Sequence, residues 1–173
     1  AMDALTTGAN NVALGANALG AATIGCTNVA IGLGAMSGVT TLQADNNIAI
    51  GLSAMVGTSA TAGDDNVAIG RLALTVLTTG SYNVAIGLQA ADCVTTGIGN
   101  VVMGTNAYGA ATTGCYNVAI GDTAMGTCIT TSINNIAIGS TAMTALTSGI
   151  CNVAIGKSAL AVSTTGCVNV AIG

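Results

Sequence analysis

The sequence contains no proline, histidine, phenylalanine or tryptophan, and no glutamate, and it has only three tyrosines. Without histidine or glutamate, acid–base and nucleophilic catalysis lack their usual groups, and no serine or threonine has a plausible base partner. We therefore predict that the chain is not an enzyme and binds no cofactor. The scarcity of aromatic side chains also argues against an ordinary globular core and favours a thin interior.

Charged residues are almost as scarce. Two basic and six acidic residues give a net charge of −4. Binding of nucleic acid or of an anionic membrane surface requires lysine and arginine, so both partners are disfavoured. The mean hydropathy is high, at +0.77. Nevertheless, Asn, Thr and Gly clusters interrupt every window of about 18 residues that a spanning helix would need, so we expect no membrane insertion.

What the chain has instead is one repeated motif. Its units read N-V-A-I-G-x-x-A-L-x-x-x-T-T-G-x-x and recur every 17 to 19 residues. Position 1 is always Asn, position 5 is always Gly, and position 8 is Ala in every complete copy. The units start at Asn11, Asn28, Asn47, Asn66, Asn83, Asn100, Asn117, Asn135, Asn152 and Asn169. Residues 1–173 are therefore predicted to form a single repetitive segment.

The two ends of the sequence fall inside a unit. Ala1 corresponds to position 8 and Gly173 to position 5. Neither end carries the atypical capping unit that solenoids need. We expect the segment to be part of a longer chain, or its ends to be covered by neighbouring subunits.

Each Val-Ala-Ile triplet alternates large and small residues with the period of a β-strand. Gly and Asn interrupt every unit, so no helical period survives. A second extended stretch is predicted over positions 8 to 14, before the Thr-Thr-Gly turn. Two short strands and two turns form one coil, which predicts an all-β, parallel β-solenoid of about ten 17–19-residue coils. Coils stacked at roughly 4.8 Å would rise about 48 Å.

The fixed positions suggest an inside and an outside. We predict that Val and Ile at positions 2 and 4 point inward and that Gly at position 5 turns the corner with positive φ. The Asn residues at position 1, named above as the unit starts, are predicted to stack into an amide hydrogen-bond ladder.

Position 3 is the feature that argues against a monomer. It is alanine in nine units and Val102 in the tenth, and it faces away from Val and Ile. A solvated face does not require alanine, so this stripe is predicted to pack against another chain. Its members are Ala13, Ala30, Ala49, Ala68, Ala85, Ala119, Ala137, Ala154 and Ala171.

The N-V-A-I-G-x-x-A-L…T-T-G pattern resembles the head repeats of YadA-like trimeric autotransporter adhesins. It is also similar to the NVAIG…TTG arrays of phage and viral tail fibres. The likeness covers essentially the whole chain. It implies a left-handed β-roll in which three chains lie side by side, within a surface fibre that binds or displays. The adhesin head repeat is nearer 14 residues, so the longer spacing fits the tail-fibre repeats better.

Few residues offer other chemistry. Asp64 and Asp65 are adjacent carboxylates, compatible with a Ca²⁺ site or, more simply, with a solvated corner. The cysteines form no CxxC pair, so no metal site is predicted. Cys151 with Cys167, and Cys115 with Cys128, are candidate disulfide pairs because their corners lie one coil apart or close to it. Bridges between chains and reduced cysteines are the alternatives.

These features favour a structural component of an extracellular, cell-surface or virion fibre that provides stiffness and displays an adhesive surface. The expected partner is the chain itself, as a homotrimer or an end-to-end filament, together with a host-surface receptor or glycan. The alternative is an ice-binding or other repetitive-ligand solenoid, suggested by the recurring threonine pairs. Interruptions such as Ile24 and Leu42, and the opposite directions of adjacent threonines, argue against that alternative.

Overall fold

In a computed structural model, residues 1–21, 24–38, 44–57, 63–127 and 131–173 are described. Every unit contributes one three-residue strand, and all ten strands form a single parallel sheet in chain order. Equivalent motif positions pair, as in Val84 with Val101 and Ile86 with Met103. The predicted all-β parallel solenoid is therefore confirmed. The strands are β1 (Val12–Leu14), β2 (Val29–Ile31), β3 (Ile48–Ile50), β4 (Val67–Ile69), β5 (Val84–Ile86), β6 (Val101–Met103), β7 (Val118–Ile120), β8 (Ile136–Ile138), β9 (Val153–Ile155) and β10 (Val170–Ile172).

The second strand predicted for each coil is wrong for the residues that the structure describes. Positions 6 to 9 form turns in every complete unit, and in most units the turns extend to position 11. Their backbone groups still bond from coil to coil, as in Met36 N to Ala54 O at 3.0 Å and Ser53 N to Leu33 O at 2.9 Å. Elsewhere in the coil, isolated bridges join Cys115 to Ile133 and Ile133 to Ile150. Hydrogen bonding between coils thus extends well beyond the three-residue strands.

Left-handed backbone conformations explain why these stretches turn. In the unit that starts at Asn83, Gln89 and Ala91 have φ of 53° and 52°, and Tyr82, just before the unit, has φ of 61°. Gly87 has φ of 137°, and a Cβ there would lie 2.5 Å from the Gly104 carbonyl oxygen. Glycine is therefore required at position 5, as predicted, both for its backbone angle and for the close approach of the next coil.

The direction in which the strands face is the reverse of the prediction. Ala85 is completely buried, whereas Val84 and Ile86 lie on the outer surface and are only partly covered. The same arrangement recurs from β2 to β9. Residues two apart in a strand share a face, so the inward asparagine at position 1 brings position 3 inside and leaves positions 2 and 4 outside.

The interior is filled mainly by small residues with one larger side chain in most coils. Alanines at positions 3 and 8 line it, and position 9 supplies most of the bulk. Buried residues at position 9 are Leu19, Met36, Met55, Leu74, Ala91, Tyr108, Met125 and Met143. Leu77, Val94, Ala111 and Leu146 complete the core at position 12. The predicted thin interior is present, but alanine, leucine and methionine fill it instead of valine and isoleucine.

Candidate functional site: the outward strand face and the adjoining corner

The outward strand face, defined here as positions 2 and 4 of β1 to β10, consists of aliphatic side chains and one methionine. The residues are Val12, Leu14, Val29, Ile31, Ile48, Ile50, Val67, Ile69, Val84, Ile86, Val101, Met103, Val118, Ile120, Ile136, Ile138, Val153, Ile155, Val170 and Ile172. Most are half-buried because each side chain is flanked by its counterparts in the coils before and after it. Even so, Met103 and Ile155 are 39% and 38% exposed.

No charged residue occupies this face. Charges instead lie beside it, at position 6, where the sequence has Arg71, Asp122 and Lys157. All three are exposed. Leu33, Leu52 and Leu88 also occupy position 6, and Leu33 and Leu52 are exposed, so the border combines apolar and charged side chains. An apolar centre with charges confined to its edge is the arrangement found in protein interfaces.

The alanine stripe cannot form the contact between chains that the sequence suggested. Seven of its members are fully buried in the core: Ala30, Ala49, Ala68, Ala85, Ala119, Ala137 and Ala154. Ala13 and Ala171, in β1 and β10, are half-buried and still face inward. Alanine is constant at position 3 because the interior of the coil leaves little room between the strand and the opposite wall.

The asparagines at position 1 form a continuous ladder inside the coil. Each Oδ1 accepts the backbone N–H of the next asparagine, as in Asn100 N to Asn83 Oδ1 at 3.0 Å. The Asn100 Nδ2 group also donates to Asn83 Oδ1 at 3.0 Å and to the Gly114 carbonyl at 2.9 Å. The position 1 asparagines from Asn28 to Asn152 are all buried, so these bonds satisfy polar groups that water does not reach. The bonds tie the strand of each coil to the corner of the next.

A second polar ladder, called the position 16 ladder, runs through the residue two before each unit-starting asparagine. That residue is position 16 in a 17-residue unit. The Asp45 carboxylate accepts the Cys26 N–H at 2.8 Å, and Asp64 accepts the Asp45 N–H at 2.8 Å. Ser81 Oγ then accepts the Asp64 N–H at 3.0 Å. These side chains replace a backbone acceptor for the N–H of the preceding coil. Asp64 therefore has a structural role, while its neighbour Asp65 is exposed.

Five cysteines lie in the described ranges, and all five are free thiols. Cys151 and Cys167, the first candidate pair, are exposed and not bridged. Cys115 is a free thiol whose Sγ accepts the Ile98 N–H at 3.4 Å. Its candidate partner Cys128 lies outside the described residues. No bridge forms within the described residues, and Cys93, Cys151 and Cys167 are exposed whereas Cys26 and Cys115 are half-buried.

Asp92 and Cys93 are the titratable groups with the most perturbed environment on the surface. Burial raises the pKa of the Asp92 carboxyl, and a 3.3 Å hydrogen bond from Gln89 offsets this in part. Burial, with the nearby Asp92 charge, raises the pKa of the Cys93 thiol. A raised pKa disfavours the thiolate, so Cys93 is a poor nucleophile. Within the described ranges there is neither a metal-binding group of three acidic, cysteine or histidine side chains nor a pocket.

The buried Tyr108 is the one aromatic side chain in the described core. Its hydroxyl accepts a 2.7 Å hydrogen bond from Asn117 Nδ2 and so joins the asparagine ladder. Burial raises the pKa of Tyr108 to about 12. Gly114 leaves room for the hydroxyl, since a Cβ on Gly114 would overlap the Tyr108 oxygen.

No family model, curated protein or solved structure matches the chain. The likeness to trimeric adhesin heads and tail-fibre repeats therefore rests on the motif alone. No helix long and apolar enough to cross a membrane is found in the part of the chain that the structure describes.

Proposed function

We propose that this chain is a stiff segment of an extracellular, cell-surface or virion fibre, in which copies pack side by side through the outward strand face. The single observation that carries this proposal is the outward strand face itself, which presents two long, uncharged rows of mostly valine and isoleucine side chains. Soluble monomers rarely expose a continuous apolar strip of this kind. The contact between chains thus moves from the alanines to the opposite face of the same strands.

The dimensions of the face suit an interface. Ten strands at roughly 4.8 Å give a length of about 48 Å, and three residues give a width of about 10 Å. Two such faces pressed together would bury about 1,000 Å² in total, which is near the lower limit of a specific protein interface. In a closed trimer each chain would use the face and its position 6 border against two neighbours, which increases the buried area.

The interior of the coil supports a mechanical role. Backbone bonds, the asparagine ladder and the position 16 ladder all run along the solenoid axis. Pulling two coils apart requires breaking these bonds together, since they act in parallel. A segment built this way resists both bending and extension, and its corners remain available to display binding residues.

Sedimentation equilibrium or multi-angle light scattering at micromolar concentration tests the assembly. We expect a discrete trimer whose mass does not grow with concentration, whereas end-to-end stacking would give a broad series of masses. Ile86→Lys together with Val118→Lys should give folded monomers, because a charge placed on the face must be desolvated on packing. A circular dichroism spectrum matching the unaltered chain serves as the folding control. A monodisperse wild-type monomer would refute the side-by-side proposal.

The ice-binding alternative receives less support. Exposed hydroxyls at position 14 do form one file, which includes Thr79, Thr96 and Thr113. At position 13, Thr78, Thr95, Thr112 and Thr147 are half-buried, and Thr78 Oγ1 donates to the Thr95 carbonyl at 2.9 Å. A single file offers a narrower surface than the paired ranks of a flat ice-binding face. Thermal hysteresis of the purified chain distinguishes the two functions.

A further inference from the structure

Two of the three tyrosines in the sequence lie at the same corner of the coil. Tyr82 and Tyr116 both occupy position 17, and they are 64% and 61% exposed. Gly99 occupies the same position in the coil between them. Large exposed aromatic side chains are otherwise absent from the described ranges, so the exposed aromatic surface lies at this one corner.

The backbone beneath the pair is fixed. Tyr82 N donates to Asp64 O at 3.1 Å, Gly99 N to Ser81 O at 3.0 Å, and Tyr116 N to Ile98 O at 2.9 Å. Both tyrosines share a left-handed conformation, with φ of 61° and 57°. Their side chains therefore leave the backbone in equivalent directions from a rigid support.

Gly99 makes room for one of the rings. A Cβ on Gly99 would lie 2.8 Å from Cδ1 and 2.9 Å from Cε1 of Tyr116. The Tyr116 ring therefore lies against the Gly99 backbone, in space that any other residue would fill. One side of the ring is supported by the coil and the other is open to solvent.

The spacing of the rings defines a ligand length. Two coils separate them, so their backbones are about 9.6 Å apart along the axis. In an extended β-1,4-linked polysaccharide, alternate pyranose units present the same face and repeat over about this disaccharide length. The C–H groups of a pyranose face pack on an aromatic ring, because the face of the ring carries partial negative charge.

We propose that Tyr82 and Tyr116 form a binding platform for an uncharged, extended β-1,4-linked polysaccharide running parallel to the solenoid axis. The inference rests on the proposed displaying role of the fibre and names the chemical class of its ligand. Asp65 lies one coil before Tyr82, and Asn134 lies one coil after Tyr116. Both are exposed and bond to sugar hydroxyls at the ends of the platform, while the carboxylate and the net charge of −4 disfavour anionic glycans.

Depletion isotherms on microcrystalline cellulose and on colloidal chitin, with calorimetric titration of cellohexaose, test the platform. We expect saturable binding by the full chain, and a loss of about tenfold in affinity for Tyr82→Ala or Tyr116→Ala, as for a tyrosine that anchors an interface. Tyr82→Phe and Tyr116→Phe keep the rings and should retain most of the affinity. Amylose, which is helical, should not compete.

A spacing variant gives the sharpest control. Tyr116→Ala combined with Asn134→Tyr retains two exposed rings on left-handed backbone, since Asn134 has φ of 58°. The rings would then be three coils apart, out of step with the disaccharide repeat. Binding should fall at least as far as in Tyr116→Ala alone, since the Asn134 amide is lost as well.

Three outcomes overturn the inference: no binding of the unaltered chain to either polysaccharide, equal binding by the alanine variants, or full binding by the spacing variant. Loss of oligomer mass in Tyr82→Ala or Tyr116→Ala also overturns it, because the rings would then be part of the contact between copies. Assembly measured on the same samples separates the two proposals. If the chain is a trimer that binds no polysaccharide, only the platform proposal is refuted. If it is a monomer that binds polysaccharide, the side-by-side fibre proposal is refuted.

Discussion

Replacing one asparagine of the buried ladder should destabilise the protein far more than its size suggests. In Asn83→Ala, two buried groups lose their hydrogen-bond partner: the Gly97 carbonyl and the Asn100 backbone N–H. Each unsatisfied buried group costs about 1–3 kcal/mol, so the free energy of unfolding should fall by about 2–6 kcal/mol. The cavity left by the amide adds to this loss.

Asn83→Asp separates the accepting half of the amide from the donating half. The introduced carboxylate can still accept the Asn100 N–H, but its second oxygen replaces an Nδ2 group that lies 3.0 Å from Asn66 Oδ1 and 2.9 Å from Gly97 O. Both neighbours are acceptors, so the charged form is repelled and the folded-state pKa of the introduced carboxyl rises. The variant should be most stable below the unfolded pKa of about 4 and lose stability as pH rises through the folded value.

Urea unfolding followed by circular dichroism, at pH 4 and pH 7, measures both effects. Hydrogen exchange at the Asn100 amide reports the local opening, which matters because repeat proteins do not always unfold in one step. Asn169→Ala is the matched control. Asn169 is exposed and its side chain donates to Asn152 Oδ1, so we expect a loss below about 1 kcal/mol. A loss of less than about 1 kcal/mol in Asn83→Ala would refute the reasoning that the ladder stabilises the coil.

Three further tests, two of them with a matched control substitution, address other parts of the structure. Ala85→Leu should prevent folding, or lower the free energy of unfolding by about 3 kcal/mol or more, because it overpacks the interior. Val84→Thr on the outer face should lower it by less than about 1 kcal/mol. Urea unfolding at a concentration where the chain is monomeric measures both, and equal losses would contradict the assigned orientation of the strand. Thr123→Asn should raise the free energy of unfolding by about 0.5–1 kcal/mol, because Thr123 has φ of 53° and asparagine tolerates left-handed backbone. Thr105 has negative φ, so Thr105→Asn should not stabilise the protein. Burial raises the pKa of Tyr108 to about 12, so its contribution to stability is intact below about pH 10 and is lost between about pH 10 and 12. This pH dependence of the free energy of unfolding should be reduced in Tyr108→Phe. An unchanged pH profile in that variant would argue against burial of the phenol.

The repeat made the architecture predictable, but not the direction of the strand. Ten copies at a nearly constant spacing of 17 to 19 residues lead to in-register parallel stacking, and the structure has that stacking. The inference that large β-branched residues point inward failed because it treated Val84 and Ile86 without regard to Asn83. Asn83 and Ala85 have the same parity in the strand, so a buried asparagine ladder requires a buried alanine.

Other features could not be read from the motif. The left-handed residues at positions 7 and 9 include leucine, methionine and threonine, which seldom adopt this conformation, so composition gave no signal for the turns that replace the expected second strand. Position 9 did carry a signal: it is a larger apolar residue in almost every unit and proved to be the main core position. The motif shows that the two tyrosines are separated by two units, but it does not predict their exposure or the contact of Tyr116 with Gly99.

The uniformity of the outward strand face has a consequence for how copies would align lengthwise. A face made of nearly identical strands looks almost the same after a shift of one coil, about 4.8 Å, so it carries little information about axial stagger. β6 departs most, because its Val101-Val102-Met103 sequence places a longer, flexible side chain where the neighbouring strands have isoleucine. The changes on this face in β1, β3 and β8 only exchange one branched aliphatic residue for another. In an assembly through this face, Met103 is the mark that distinguishes one stagger from the next. An isoleucine there would lower the cost of settling one coil out of step and leave the charges at position 6 as the main difference between coils.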